Sequence, residues 1–225
     1  AVDLAEATPG VYAAVGVHPH EAESWSAGSA DELRSLAASP AVVAIGEIGL
    51  DYYRDLSPRA AQRKALRAQL SLAAELGLPV IVHNRESTED LLDELTHWAD
   101  ELPDELATRP GVLHAFSADR KAAEIATRHG FFLGVAGPIT YPNADDRRRI
   151  TAGLPAERLL VETDAPYMAP QAERGKRNEP AFVRFVAEAL AEVKSTSLDK
   201  VADRTTANAS NLFGWSHGTT NGNIL

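Results

Sequence analysis

The chain has 225 residues, 44% of them hydrophobic and 24% charged, with a formal net charge of −10, a balance that suits one sizeable globular domain. The absence of cysteine excludes a disulfide scaffold and any thiolate metal site, and no apolar run approaches the ~20 residues of a membrane span. The acidic balance argues against broad clamping of nucleic acid by a basic surface, but it allows a nucleic-acid enzyme whose divalent cations neutralise phosphate locally. With no signal peptide in view, the expectation is a cytoplasmic protein.

In chain order, Gly10 to His20 reads as a strand with a polar end, and Asp31 to Ala38 as a short helix stopped before Pro40. Val42 to Tyr53 opens as an apolar run typical of a strand buried on both faces, and the carboxylate of Glu47 is expected at its end, between Gly46 and Gly49. A charge so placed is costly unless it is paired or bound to a metal. Ser57 and Pro58 open a helix whose Leu66, Leu70, Ala73 and Leu76 recur at helical spacing, and Gly77 closes it. A strand from Leu78 to His83 follows, then a helix carrying Leu91, Leu92, Leu95 and Trp98. The next strand brings His114, and Asp119 opens a helix through His129. Phe131 to Val135 is a strand, Asp145 to Ile150 a short helix, and Leu159 to Glu162 a strand that delivers Asp164. Helices near Ala181 to Val193 and Leu198 to Leu212 finish the domain. The Gly/Thr/Asn-rich stretch from Trp215 to Leu225 reads as a disordered or loosely attached tail.

Apolar strands alternating with helices mean parallel βα units. The count is six, where a (β/α)₈ barrel has eight and a doubly wound sheet could use six. No Gly-rich phosphate fingerprint follows the first strand, and polar residues end many strands rather than meeting at one crevice. Both points favour the α/β barrel of TIM (β/α)₈ type, with about six of its eight strands in this chain.

Glu47, His83, His114 and Asp164 each end a different strand, and a barrel brings such ends to one face. Two carboxylates and two imidazoles form a mixed nitrogen–oxygen set suited to Zn, Mn, Fe or Mg. Any one of these histidines alone would read as a core histidine bonded to backbone; the shared phase of all four makes a metal site. Asp164 is assigned to the site, and Glu162, two residues earlier, to a hydrogen bond behind it, as is Asp51. His18, in a loop with Pro19, suits substrate better than metal, whereas His20 reads as a surface residue. Arg85, Arg174, Lys176 and Arg177 follow strand ends and make a cationic group fit for phosphate, against the plain alternative of a solvated loop. Arg147, Arg148 and Arg149 read as a solvated helix face, and Tyr52 or Phe116 as a surface for stacking a base.

Seven segments occur together: Gly16 to His20 (GVHPH), Ala44 to Tyr52 (AIGEIGLDY), Pro79 to Arg85 (PVIVHNR), Leu113 to Ser117 (LHAFS), Leu160 to Tyr167 (LVETDAPY), Arg177 to Pro180 (RNEP) and Asn208 to Gly214 (NASNLFG). In this order they resemble the TatD family of metal-dependent deoxyribonucleases, a branch of the amidohydrolase-like TIM barrels. The resemblance implies a phosphodiesterase with two divalent metal ions (Mg²⁺, Mn²⁺ or Zn²⁺) that degrades DNA, often from the 3′ end. It carries Glu47 over as the bridge between the metals, His83 and His114 to one of them, and Asp164 to the other. Asp164 and Glu47 then serve catalysis, with Asp164 taking a proton from the attacking water, and His18, Arg85, Arg174 and Arg177 meet the phosphate. Family members usually begin with a strand bearing an Asp-x-His-x-His-like segment that this chain lacks. The expectation is therefore one barrel domain over residues 1–214, incomplete at its N-terminus, with a monomer favoured. Three alternatives stand beside it: a hydrolase of another ester such as D-aminoacyl-tRNA, a hydrolase of cyclic amides, and an inactive metal- or DNA-binding barrel fragment.

Overall fold

Parallel pairing joins six strands into one sheet among the described residues: β1 (Ala13–Val15), β2 (Val42–Asp51), β3 (Val80–Arg85), β4 (Gly111–Leu113), β5 (Phe132–Val135) and β6 (Leu159–Val161). The structure is a computed structural model and describes residues 1–215. Each strand pairs with the next in sequence, so the order never reverses. A doubly wound sheet would reverse it at a switch point; a singly wound order is that of a TIM-type barrel. The tail expected from Trp215 onward lies, beyond that residue, outside the described residues.

The connecting helices are α1 (Val2–Ala7), α2 (Ala27–Leu36), α3 (Arg59–Leu76), α4 (Thr88–Asp100), α5 (Asp104–Ala107), α6 (Arg120–Arg128), α7 (Asp145–Ala152), α8 (Val183–Val193) and α9 (Leu198–Phe213). The periodic apolar faces pack as their spacing dictates. Leu66, Leu70 and Ala73 of α3, and Leu91 and Leu95 of α4, are buried in one core with Ile45, Ile48, Leu50, Val80 and Val82 of the strands. No helix among the described residues is long and apolar enough to cross a membrane.

Two boundaries and two short helices differ from the sequence reading. Helix α2 starts at Ala27 rather than Asp31, because Ser26 and Ser29 form a reciprocal capping box there. Helices α1 and α5 are too short to show a 3.6-residue period. Strand β2 does not end at Glu47 but runs to Asp51, with a register shift against β3 between Ile45 and Ile48. The glycines, which suit either a turn or a close approach, serve the close approach: Gly49 has φ of +143°, and a Cβ there would overlap the His83 carbonyl. Trp215 packs as well, stacked between Tyr12 and Phe213 with ring centroids 4.9 Å apart on either side.

Candidate metal centre at the strand ends

Two buried glutamines of α3 set the first half of the site. Gln69 accepts from Val17 N–H (2.6 Å) and donates to the Val17 carbonyl (3.1 Å), which fixes the loop bearing His18 and His20. Gln62 accepts from Asp51 N–H (2.8 Å) and donates to the Asp51 carbonyl (3.1 Å), which fixes the end of β2. Asp51 is fully buried, and its Oδ1 accepts from the backbone N–H groups of Tyr53 (3.0 Å) and Arg54 (2.7 Å). Its Oδ2 lies 2.8 Å from His20 Nε2 and 3.1 Å from His83 Nε2. Burial works against the Asp51 charge, but these hydrogen bonds hold its carboxyl down to about 2.

His83 lies between two carboxylates, since its Nδ1 is 2.8 Å from Glu47 Oε1. His114, just past β4, lies between two others: Nδ1 is 2.7 Å from Glu162 Oε2 and Nε2 is 3.3 Å from Asp164 Oδ1. Ala115 N–H donates to the second oxygen of Glu162. The loop carrying Asp164 is held by Asn178, a buried side chain whose Nδ2 donates to the carbonyls of Thr163 and Tyr167, both at 2.6 Å. The two halves therefore have the same construction. An outer carboxylate, Asp51 or Glu162, is engaged by backbone amides and takes the imidazole N–H. The inner nitrogen is left to meet Glu47 or Asp164 through a proton or a cation.

Two acceptors 2.8 or 3.3 Å apart hold together only around a proton or a cation. Among the described residues no lysine or arginine pairs with Glu47, Asp51, Glu162 or Asp164; each pairs with histidine alone. Without metal a proton fills the gap at His114. Burial pulls that imidazole down, but the hydrogen bonds of Asp164 and Glu162 and the charges of Glu162 and Glu47 push it up to about 11. Burial likewise opposes the Glu47 charge, which the His83 hydrogen bond and the charges of His114, His83 and His18 nevertheless hold below the usual carboxylate range. Imidazole and carboxylate donors arranged with hydrogen-bonded partners behind them fit a divalent cation.

His18, His20 and His83 bring ring nitrogens within 4.8 Å of one another, close enough to share a cation. The backbone limits His18, however. Its Nδ1 accepts from His20 N–H (3.2 Å), so its proton sits on Nε2, 3.8 Å from Glu47 Oε1, as a donor. Burial, chiefly, lowers this imidazole to about 4, which leaves it neutral at neutral pH. His20 is not the surface residue expected: its ring is half-buried against Asp51. The sequence reading set it aside because Pro19 breaks the His-x-His pair, and its partner lies 31 residues away.

The three histidines, Glu47, Asp51, His114 and Asp164 line one cavity of about 700 Å³, with Glu162 behind its wall. The expected phosphate contacts divide there. Arg85 lines the cavity, with its guanidinium 4.0 Å over the Tyr53 ring. Arg174 and Arg177 do not; Arg174 stacks 4.0 Å over Tyr141 instead. Arg147, expected on a solvated face, does line the cavity, and only Arg149 of that trio is largely exposed. Tyr52 faces away, its hydroxyl donating to Asp90 (2.6 Å).

The sequence and fold are similar to those of known proteins. The family model described as TatD-related DNase matches residues 1–214. A metal-dependent hydrolase of Bacillus subtilis, YabD, is 38% identical over 213 residues, covering 95% of this chain and 81% of the relative. The 3′–5′ ssDNA/RNA exonuclease TatD of Escherichia coli is 36% identical over 220 residues, covering 94% and 81%. Among solved structures, the E. coli TatD homologue YjjV superposes with a TM-score of 0.87 at 36% identity, over 96% of this chain and 81% of its own. With a family match over nearly its whole length and relatives at this identity, the chain belongs to the TatD-related DNase family of metal-dependent hydrolases.

Proposed function

We propose that the protein is a divalent-metal-dependent phosphodiesterase that shortens single-stranded DNA or RNA from the 3′ end. The observation that carries the reading is the paired construction Asp51–His83–Glu47 and Glu162–His114–Asp164, in which each inner nitrogen converges on a carboxylate oxygen at the cavity. Glu47, His83, His114 and Asp164 would hold two ions, with Glu47 in electrostatic reach of both imidazoles. Such ions supply Lewis acidity: they acidify a water and draw charge from phosphoryl oxygens.

The chain's own groups do the rest. Glu162 and Asp51 keep the imidazole protons on the outer nitrogens and so fix each tautomer. Asp164 offers a carboxylate oxygen at the cavity wall to take a proton from the attacking water. His18 presents Nε2–H as a neutral donor to a phosphate oxygen or to the departing group. Arg85, also on the wall, offsets charge gathering on the phosphate.

The test is metal content by elemental analysis, alongside cleavage of 5′-labelled single-stranded DNA with Mg²⁺ or Mn²⁺. A ladder of shortened products that EDTA abolishes is expected. His83→Ala and His114→Ala should each lower turnover by about 100-fold or more, since even the outer partners of metal ligands are worth roughly 10- to 100-fold. Cleavage at full rate in EDTA overturns the reading.

A further inference from the structure

A second cavity of about 430 Å³ adjoins the metal-centre cavity and shares Ser117, Pro138 and Arg147 with it. Its other lining residues include two aromatics, Phe116 and Tyr141, and the amide residue Asn143. Arg147 stands at the divide. Its Nη1 donates to the Phe116 carbonyl (2.6 Å), which fixes the guanidinium in place. Its neighbours are neutralised: Arg148 pairs with Asp145 and Arg149 with Asp146, both at 2.7 Å. Arg147 has no carboxylate partner among the described residues, although it is half-buried and burial pulls its pKa below the ordinary value. Asp146 also lines the second cavity, but Arg149 engages it.

An unpaired, partly desolvated cation at a cavity wall is stabilised by an anion, and a guanidinium fork matches two phosphate oxygens. Beyond it lie two aromatic rings and an amide, the combination that stacks a nucleobase and hydrogen-bonds its edge. Arg174, 4.0 Å over the Tyr141 ring, braces that wall from the side of the exposed loop.

We propose that the second cavity binds the nucleoside adjoining the nucleotide at the metal centre, with Arg147 holding the phosphate that joins them. This rests on the nucleic-acid reading above, and it makes the minimal well-bound ligand a dinucleotide rather than a mononucleotide.

The experiment is isothermal titration calorimetry of the Mg²⁺-loaded protein with thymidine monophosphate and with a 5′-phosphorylated dithymidine joined by a non-hydrolysable phosphorothioate. Wild-type protein should bind the dinucleotide about tenfold or more tightly than the mononucleotide, the scale of one stacked base. Arg147→Ala should collapse that ratio towards one, and Arg147→Lys should restore part of it. Asn143→Glu, at an exposed position on the cavity rim, should collapse it too by placing a negative charge there, and it decides the matter if circular dichroism shows Arg147→Ala unfolded. Equal binding of the two ligands by wild type overturns the inference, as does a preference that survives Asn143→Glu and a folded Arg147→Ala. Wild-type protein that binds neither ligand removes the function it rests on.

Discussion

His83 and His114 show how a single side chain acquires chemistry from what stands on either side of it. Each donates outward to a carboxylate fixed by backbone amides and faces inward to a carboxylate at the cavity. Glu162→Gln should therefore leave the fold intact but lower Mn²⁺ affinity by roughly 10- to 100-fold, measured by calorimetry, because the amide cannot anchor the imidazole as a charge does. An ion cluster outside the cavity behaves differently. Glu94 is buried between Arg63 (2.9 Å) and Arg67 (2.7 Å), and the Arg67 hydrogen bond, ahead of the opposing burial, holds its carboxyl below the ordinary 4.5. A depressed carboxyl stabilises the fold above its unfolded pKa and stops doing so as pH falls through its folded one. Glu94→Gln should cost about 1 kcal/mol at pH 7, reduced from the full charged value because both arginines reach solvent, and the gap in urea melts should close below about pH 4. Glu47, His83, His114 and Asp164 were legible in the sequence because each follows an apolar run with the same phase. His20 and Arg147 were not: one depends on a loop held by Gln69, the other on a helix turned inward, and neither leaves a periodic trace.

Strand β2 carries most of the positional information. It brings Glu47 and Asp51 to successive depths of one cavity, and its glycines admit β3 at close range. Gly49→Ala should destabilise by about 3 kcal/mol or more, since it combines a strained φ with overlap on the His83 carbonyl; thermal melts would show it. Gly134→Ala in β5 acts on the centre instead. The new Cβ would lie 2.6 Å from Glu162 Oε1, so the carboxylate must shift off His114. Loss of Mn²⁺ affinity with little loss of thermal stability is the expected signature. The sequence reading placed every strand of the sheet and the helices long enough to repeat an apolar face. It missed α1 and α5, which are shorter than two turns, and it left the β2 glycines open between a turn and a close approach, of which the strand uses the second.

At the scale of the molecule, a net charge of −10 coexists with three arginines, Arg54, Arg85 and Arg147, on the walls of the metal-centre cavity. On the function proposed above, these three arginines are the cations a strand would meet at that mouth. At fixed Mg²⁺, the dependence of log affinity on log salt for a single strand should be shallow, about −2 for three phosphate contacts. A slope several times steeper would mean a broad basic track. The alternation of apolar runs and helices made the winding order readable, because each strand pairs with its successor. The meeting of Tyr12, Trp215 and Phe213 was not readable, since stacking depends on closure of the fold rather than on local pattern. That meeting has an optical consequence. Of the three tryptophans, Trp215 is the one packed face to face between two rings, one just before the first strand and one at the end of the last helix. Its emission, isolated as the difference between wild type and Trp215→Phe, becomes a gauge of whether those two ends stay in contact as denaturant rises.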